Sequence, residues 1–170
     1  QVLSKIIRGW QGEFKISPDG RHIAYMAGVD VFKPEEQYVG SDGWMKHAIV
    51  VDGKVGKHYN FVSEYSISPD GKRIAYIAST DEGYVVVVDG RETERYGPHE
   101  IAARYGADLQ FSPDSQQVAY FVNNSSTAGP SYIVVDSKKG KAHATINKIF
   151  FSPDSKRIAY LVEDNRLVKD

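Results

Sequence analysis

Four short, nearly continuous apolar runs recur along the chain: Ile23-Ala-Tyr-Met, Ile74-Ala-Tyr-Ile, Val118-Ala-Tyr-Phe and Ile158-Ala-Tyr-Leu. Each follows a polar turn, and none continues into a 3.6-residue stripe, so the pattern predicts strands covered on both faces. A second set, Ala48–Val51, Val85–Val88 and Ile133–Val135, runs into Asp-Gly or Asp-Ser, the dipeptides of tight hairpin turns. Aromatic or apolar residues at Tyr59, Tyr96 and Ile146 are expected to begin an outer strand. No window sustains helical amphipathicity over three turns, although Pro98 to Tyr105 leaves room for one helical turn.

The apolar runs belong to a longer repeat. Phe14–Ala27, Tyr65–Ala78, Leu109–Val122 and Ile149–Val162 align without gaps, each carrying Ser-Pro-Asp, a polar step and then an apolar-Ala-Tyr triplet. The repeated serines are Ser17, Ser68, Ser112 and Ser152, at periods of 51, 44 and 40 residues, which suit a four-stranded propeller blade. Proline presets φ for a type I turn, and aspartate can accept backbone N–H bonds within it. Ser115 and Ser155 replace the glycine of the other two copies, so the fourth turn position is not expected to demand positive φ. The predicted fold is all-β: a propeller of four four-stranded antiparallel blades over approximately 14–62, 65–97, 109–146 and 149–170. Leu167–Asp170 would start the third strand of the last blade, and residues 2–9 would supply its outer strand. Such a join removes exposed sheet edges. The alternative is an open arc that forms half of an eight-bladed dimer.

Composition narrows the class without naming a function. The 170 residues are 41% hydrophobic and 25% charged, the profile of one folded domain. Basic and acidic residues number 21 and 22, so no net field draws the chain to nucleic acid or to an anionic membrane. Cysteine is absent, which removes disulfides, thiolate metal sites and cysteine nucleophiles together. Apolar runs such as Val85–Val88 are far too short to span a bilayer, and no basic segment followed by an apolar core opens the chain.

The F-S-P-D-G/S-K-R-I-A-Y pattern resembles the TolB-type bacterial propeller repeat, a relative of the WD repeat. The resemblance covers essentially the whole chain in four copies, and Ser68–Tyr76 and Ser152–Tyr160 carry the motif almost unbroken. It implies a periplasmic or other extracytoplasmic interaction module. Similar repeats also form the gating propellers of prolyl-oligopeptidase-like enzymes, so a regulatory propeller working with a hydrolase is the second expectation. Six to eight blades are usual in that family, and the four copies here depart from it.

Catalytic motifs are largely missing. Gly129-Pro130-Ser131 lacks the closing glycine of a nucleophile elbow, and His99-Glu100 is followed by Ala103 where a zinc-protease helix needs its second histidine. The five histidines show no ligand spacing, and His22 is read as a solvated strand-start residue. Asp19, Asp70, Asp114 and Asp154 are read as turn caps, and Tyr25, Tyr76, Tyr120 and Tyr160 as packing between blades. Lys138–Lys141 is read as a solvated hairpin tip. No enzyme activity, cofactor or metal is expected.

Interruptions of the repeat are where residues are free to serve a partner. They fall at Gly28–Gly43, Tyr96–Asp108 and Asn123–Pro130. Because strand direction alternates within a blade, all three emerge on one face and the Ser-Pro-Asp turns on the other. The candidate binding residues on this loop-rich face are Phe32, Glu35, Glu36, Tyr38, Trp44, His99, Arg104 and Tyr105. A protein, a peptide or a small polar ligand is the expected partner, with no nucleic acid and no membrane insertion. The chain is expected to be a monomer or a homodimer, and a chiefly structural, self-assembling propeller is a further alternative.

Overall fold

The structure, a computed structural model, describes residues 14–30, 45–98, 107–123 and 130–163. Every regular element among them is a strand. The first sheet is β1 (Phe14–Ile16), β2 (Ile23–Asp30), β3 (Met45–Val51) and β4 (Lys54–Val55). The second is β5 (Phe61–Ile67), β6 (Ile74–Thr80), β7 (Gly83–Val88) and β8 (Arg91–Tyr96). β9 (Gln110–Phe111), β10 (Val118–Val122), β11 (Ser131–Val135) and β12 (Lys138–His143) make the third, and β13 (Thr145–Phe151) with β14 (Ile158–Glu163) the fourth. Neighbours in sequence are neighbours in each sheet, and all pairs are antiparallel, so each sheet is a simple meander.

Alternation along the apolar strands explains why the sheets stack face to face. In β6, Ile74, Tyr76 and Ala78 pack towards the first sheet with Ala24, Ile49, Val62 and Val85. Ala75 and Ile77 point the other way, into a cluster with Leu109, Phe111, Val118 and Tyr120 of the third sheet. A third cluster joins Ala119, Phe121 and Ile133 to Ile146 and Ile149 of the fourth. Successive side chains on a strand point to opposite faces, so a strand covered on both sides must be apolar throughout. Three apolar seams thus join four sheets in chain order, and the arrangement is propeller-like. No helix among the described residues is long and apolar enough to cross a membrane.

Three expectations need correction. Tyr59, Tyr96 and Ile146 do not begin an outer strand. Tyr59 makes an isolated bridge with His47, Tyr96 ends β8, and Ile146 lies in the inner strand of the following sheet. The outer strands instead start directly after the Asp-Gly and Asp-Ser turns, because a two-residue hairpin leaves no room for a longer link. Lys138–Lys141 accordingly sits in outer strand β12, not at a hairpin tip. The fourth turn position does adopt positive φ in every copy: 71° at Gly20, 74° at Gly71, 65° at Ser115 and 60° at Ser155. Leu167–Asp170 and residues 2–9, expected to complete the last blade, lie outside the described residues.

Candidate functional site

The two faces of the sheet stack differ in chemistry. On one, the Ser-Pro-Asp turn repeats four times with the same hydrogen bonds. Ser17 Oγ donates to Asp19 Oδ1 at 2.5 Å and accepts from the His22 N–H at 3.0 Å, while Asp19 Oδ1 also accepts from the Arg21 N–H at 3.1 Å. Ser68, Ser112 and Ser152 repeat this with Asp70, Asp114 and Asp154. The serine hydroxyl is the first cause, and a backbone N–H the second, of each of these carboxyls lying below the usual aspartate value. The aspartate that ends each third strand adds a second clasp: Asp52, Asp89 and Asp136 accept from the N–H of Ile23, Ile74 and Val118. His22, expected as a solvated residue at a strand start, stands directly before β2 with its side chain 37% exposed, and it is also paired. Its Nδ1 lies 2.7 Å from Asp52 Oδ2, the place Arg73 Nε takes on Asp89 at 2.9 Å. A cleft of about 250 Å³ also opens on this face, lined by His22, Gly71, Lys72, Arg73 and Asp89.

On the opposite face, the described residues place the β6–β7 turn and the link from β4 to β5. The eight residues singled out there, Phe32, Glu35, Glu36, Tyr38, Trp44, His99, Arg104 and Tyr105, all lie outside the described residues. What the described residues build on this face is a cleft of about 310 Å³ between the first and second sheets. Lys46 enters from β3, Lys57 to Asn60 from the link, Ser79 to Glu82 from the β6–β7 turn, and Glu92 and Arg95 from β8.

Charge pairs line the cleft. Glu92 is its centre: Lys57 Nζ lies 2.5 Å from Oε1, Arg95 Nη2 lies 2.7 Å from Oε2, and Tyr59 donates its hydroxyl to Oε1 at 3.2 Å. Residues three apart on a regular strand face opposite ways, and the register shift between Val85 and Val87 is what lets Glu92 and Arg95 meet. Arg95 also reaches Glu82 at 3.4 Å. Asn60 donates to Asp81 at 2.6 Å and receives Lys46, so the link is pinned to both sheets. Lys57 is the main cause of Glu92 lying below the usual glutamate value, whereas burial leads in pushing the Tyr59 and Tyr76 hydroxyls up. Tyr59 stacks edge-on against Tyr76 at 5.9 Å between centroids and lies under Lys57 at 5.4 Å.

Such a cleft offers exposed donors and acceptors of both signs on a fixed floor, which suits recognition of a mixed-charge partner. Among the described residues no group of three histidine, aspartate or glutamate side chains converges on a metal position. Glu92, Arg95, Lys57 and Asn60 escaped the sequence reading because almost forty residues separate their ends. The one local signal was the alternation of charge in Arg91-Glu-Thr-Glu-Arg95.

No family model matches the chain, and no curated protein matches it. Among solved structures it is similar to TolB from Acinetobacter baumannii, at 17% identity and a TM-score of 0.49, over 91% of this chain and 38% of that one. It is also similar to a putative TolB from Agrobacterium tumefaciens, at 17% identity and 0.48, over 92% of this chain and 56% of that one. A third is Kuenenia stuttgartiensis hydrazine synthase, at 15% and 0.44, over 95% and 46%. The chain spans less than two thirds of each of these proteins.

Proposed function

We propose that this protein is a non-catalytic propeller-type binding module that recognises a protein or peptide on its loop-rich face. The observation that carries the reading is the cleft between the first and second sheets on the loop-rich face. Lys57 from the link, Glu82 from the β6–β7 turn and Arg95 from β8 stand exposed around Glu92 there, in a cleft larger than the one of about 250 Å³ beside the Ser-Pro-Asp turns. A surface preformed by such pairs spends little ordering entropy on binding. The mixed charge of the cleft favours peptides carrying both signs. The repeat motif adds an extracytoplasmic setting to this reading, through its resemblance to TolB-type repeats.

A random-peptide display selection on the folded protein tests the reading, followed by calorimetry on the enriched peptides. Lys57→Ala, Arg95→Ala and Trp44→Ala should each weaken binding about 10-fold, or about 1.4 kcal/mol, without lowering the unfolding midpoint much. Lys72→Ala, on the opposite face, should leave affinity unchanged. No enrichment over unfolded protein, or a loss with Lys72→Ala alone, would overturn the proposal.

A further inference from the structure

At the Ser-Pro-Asp end of the seam between the second and third sheets, one side chain crosses from sheet to sheet. Arg73 Nε donates to Asp89 Oδ2 in its own sheet at 2.9 Å. Its Nη1 donates to the carbonyl oxygens of Ser115 at 3.0 Å and Gln116 at 2.7 Å in the next, and the guanidinium lies over the Phe111 ring at 5.2 Å. The planar cation thus has an acid behind it, an apolar floor beneath it and two carbonyls in front, which uses both its charge and its fork of donors.

One seam earlier the repeat builds the same surroundings around a different residue. Alignment of the copies puts His22 in the place of Arg73, Asp52 in that of Asp89, Ile67 in that of Phe111, and Gly71 and Lys72 in those of Ser115 and Gln116. The imidazole keeps the acid, with Nδ1 2.7 Å from Asp52 Oδ2, but among the described residues no hydrogen bond joins its ring to the second sheet. The carbonyls of Gly71 and Lys72 likewise accept no hydrogen bond among the described residues. What is left is the cleft of about 250 Å³, walled by His22, Ile67, Gly71 and Lys72. It lies between two described sheets, where the next seam seats its arginine.

We infer that this cleft receives a guanidinium on an aliphatic stem, the arginine side chain of a partner, in the manner in which the second seam receives Arg73. Carbonyl and carboxylate acceptors around an apolar floor match the donors and flat faces of a guanidinium better than an ammonium. Negative charge is at hand in Asp52 and in Asp19, whose Oδ1 stands 3.3 Å from where a Cβ on Gly71 would be. Of the cations on the wall, Arg73 is already neutralised by Asp89, and the exposed Lys72 offers its carbonyl. The volume falls short of the roughly 300 Å³ at which pockets for drug-sized ligands begin, so it suits one side chain. This site lies on the face opposite the peptide cleft, and neither reading depends on the other.

Amide NMR titration of the folded protein with N-acetylarginine amide, up to about 10 mM, tests it. Shifts should saturate at Gly71, Lys72 and Ile23 and be absent at Ser115 and Gln116, whose carbonyls Arg73 already holds. N-acetyllysine amide should bind at least about 5-fold more weakly. His22→Arg supplies the guanidinium from within the chain and should abolish the shifts, whereas His22→Ala leaves Asp52 to the ligand and should keep or tighten binding. Asp52→Asn should weaken binding about 10-fold. Propylguanidine tells the two sources of the group apart: shifts with it as well would extend the ligand to small guanidines, and shifts with N-acetylarginine amide alone would restrict it to arginine in peptide linkage, either pattern supporting the site. No saturating shift in both the unaltered chain and His22→Ala would overturn the inference, as would equal affinity for the lysine compound or undiminished binding by His22→Arg. Should His22→Arg lose its dispersed amide spectrum, Asp52→Asn decides, and unchanged affinity there overturns the site.

Discussion

Serine holds two different posts in the repeated turn. At the first position Ser68 and Ser112 are fully buried and both donate to an aspartate and accept from a backbone N–H. At the fourth, Ser115 and Ser155 occupy left-handed backbone and accept from the N–H of Asp70 and Asp114 in the preceding sheet, at 3.0 and 2.9 Å. A non-glycine residue there costs about 1 kcal/mol, which the hydrogen bond between sheets offsets. Gly71 stands in the equivalent place between the first two sheets, where a Cβ would come within 3.0 Å of His22 and 3.1 Å of Ser17. Ser115→Ala keeps the strained backbone and loses the bond, so it should cost about 1–2 kcal/mol, whereas Ser115→Gly should stay within about 0.5 kcal/mol of the parent. Denaturant titration of both variants separates them, and equal losses would refute the offset.

The aspartates of the same turns make an acid-dependence prediction. Asp70 and Asp114 lie below the usual aspartate value, chiefly through Ser68 and Ser112. A carboxyl that titrates lower when folded stabilises the fold above its unfolded value, about pH 4, and loses that contribution as pH falls through the folded value. The unfolding midpoint should therefore drop on acidification below about pH 4, and Ser112→Ala should flatten that drop. An unchanged acid slope in the variant would show that the hydroxyl does not hold the carboxyl down. The turn itself was legible from Ser-Pro-Asp, since proline and aspartate have defined places in it. Its positive φ was not, because the reason for Ser115 is a hydrogen bond to a residue 45 positions away.

At the scale of elements, strand order follows from apolar runs and hairpin dipeptides that are local in sequence. The outer strands were the hardest to place. β8 and β12 are rich in charge and lack an apolar signature, because one side of an outer strand faces solvent. Their partners are set by turns at Asp89-Gly90 and Asp136-Ser137, where positive φ at both residues gives the twist a two-residue hairpin needs. Gly83 opens β7 at a φ of 138°, and a Cβ there would overlap the Tyr96 carbonyl oxygen at 2.2 Å. Gly83→Ala should thus cost at least about 2 kcal/mol, by strain and by loss of the β7–β8 pairing that carries Glu92 and Arg95. Thermal unfolding checks it, and a midpoint equal to the parent's would show that β8 shifts without loss. Ile77, with no exposure between two sheets, should lose about 3 kcal/mol on truncation to alanine.

For the whole molecule, the fold was readable from the repeat and the cleft was not. Four copies of one motif announce four similar sheets, and the sandwiching of each is written in apolar runs such as Val118–Val122, buried throughout. The cleft is assembled from Lys46, Asn60, Asp81 and Glu92, which the motif leaves unconstrained and which meet only once sheets one and two are stacked. Its chemistry is therefore a property of the seam between sheets and of no single segment. The most direct test of the binding role is a backbone amide NMR titration of the folded protein with a display-selected peptide. Shifts should concentrate at Lys57, Asn60, Thr80 and Arg95 and leave Asp70, Ser112 and Asp154 unmoved. Shifts centred on the Ser-Pro-Asp turns, with the cleft amides unchanged, would contradict a loop-face binding module.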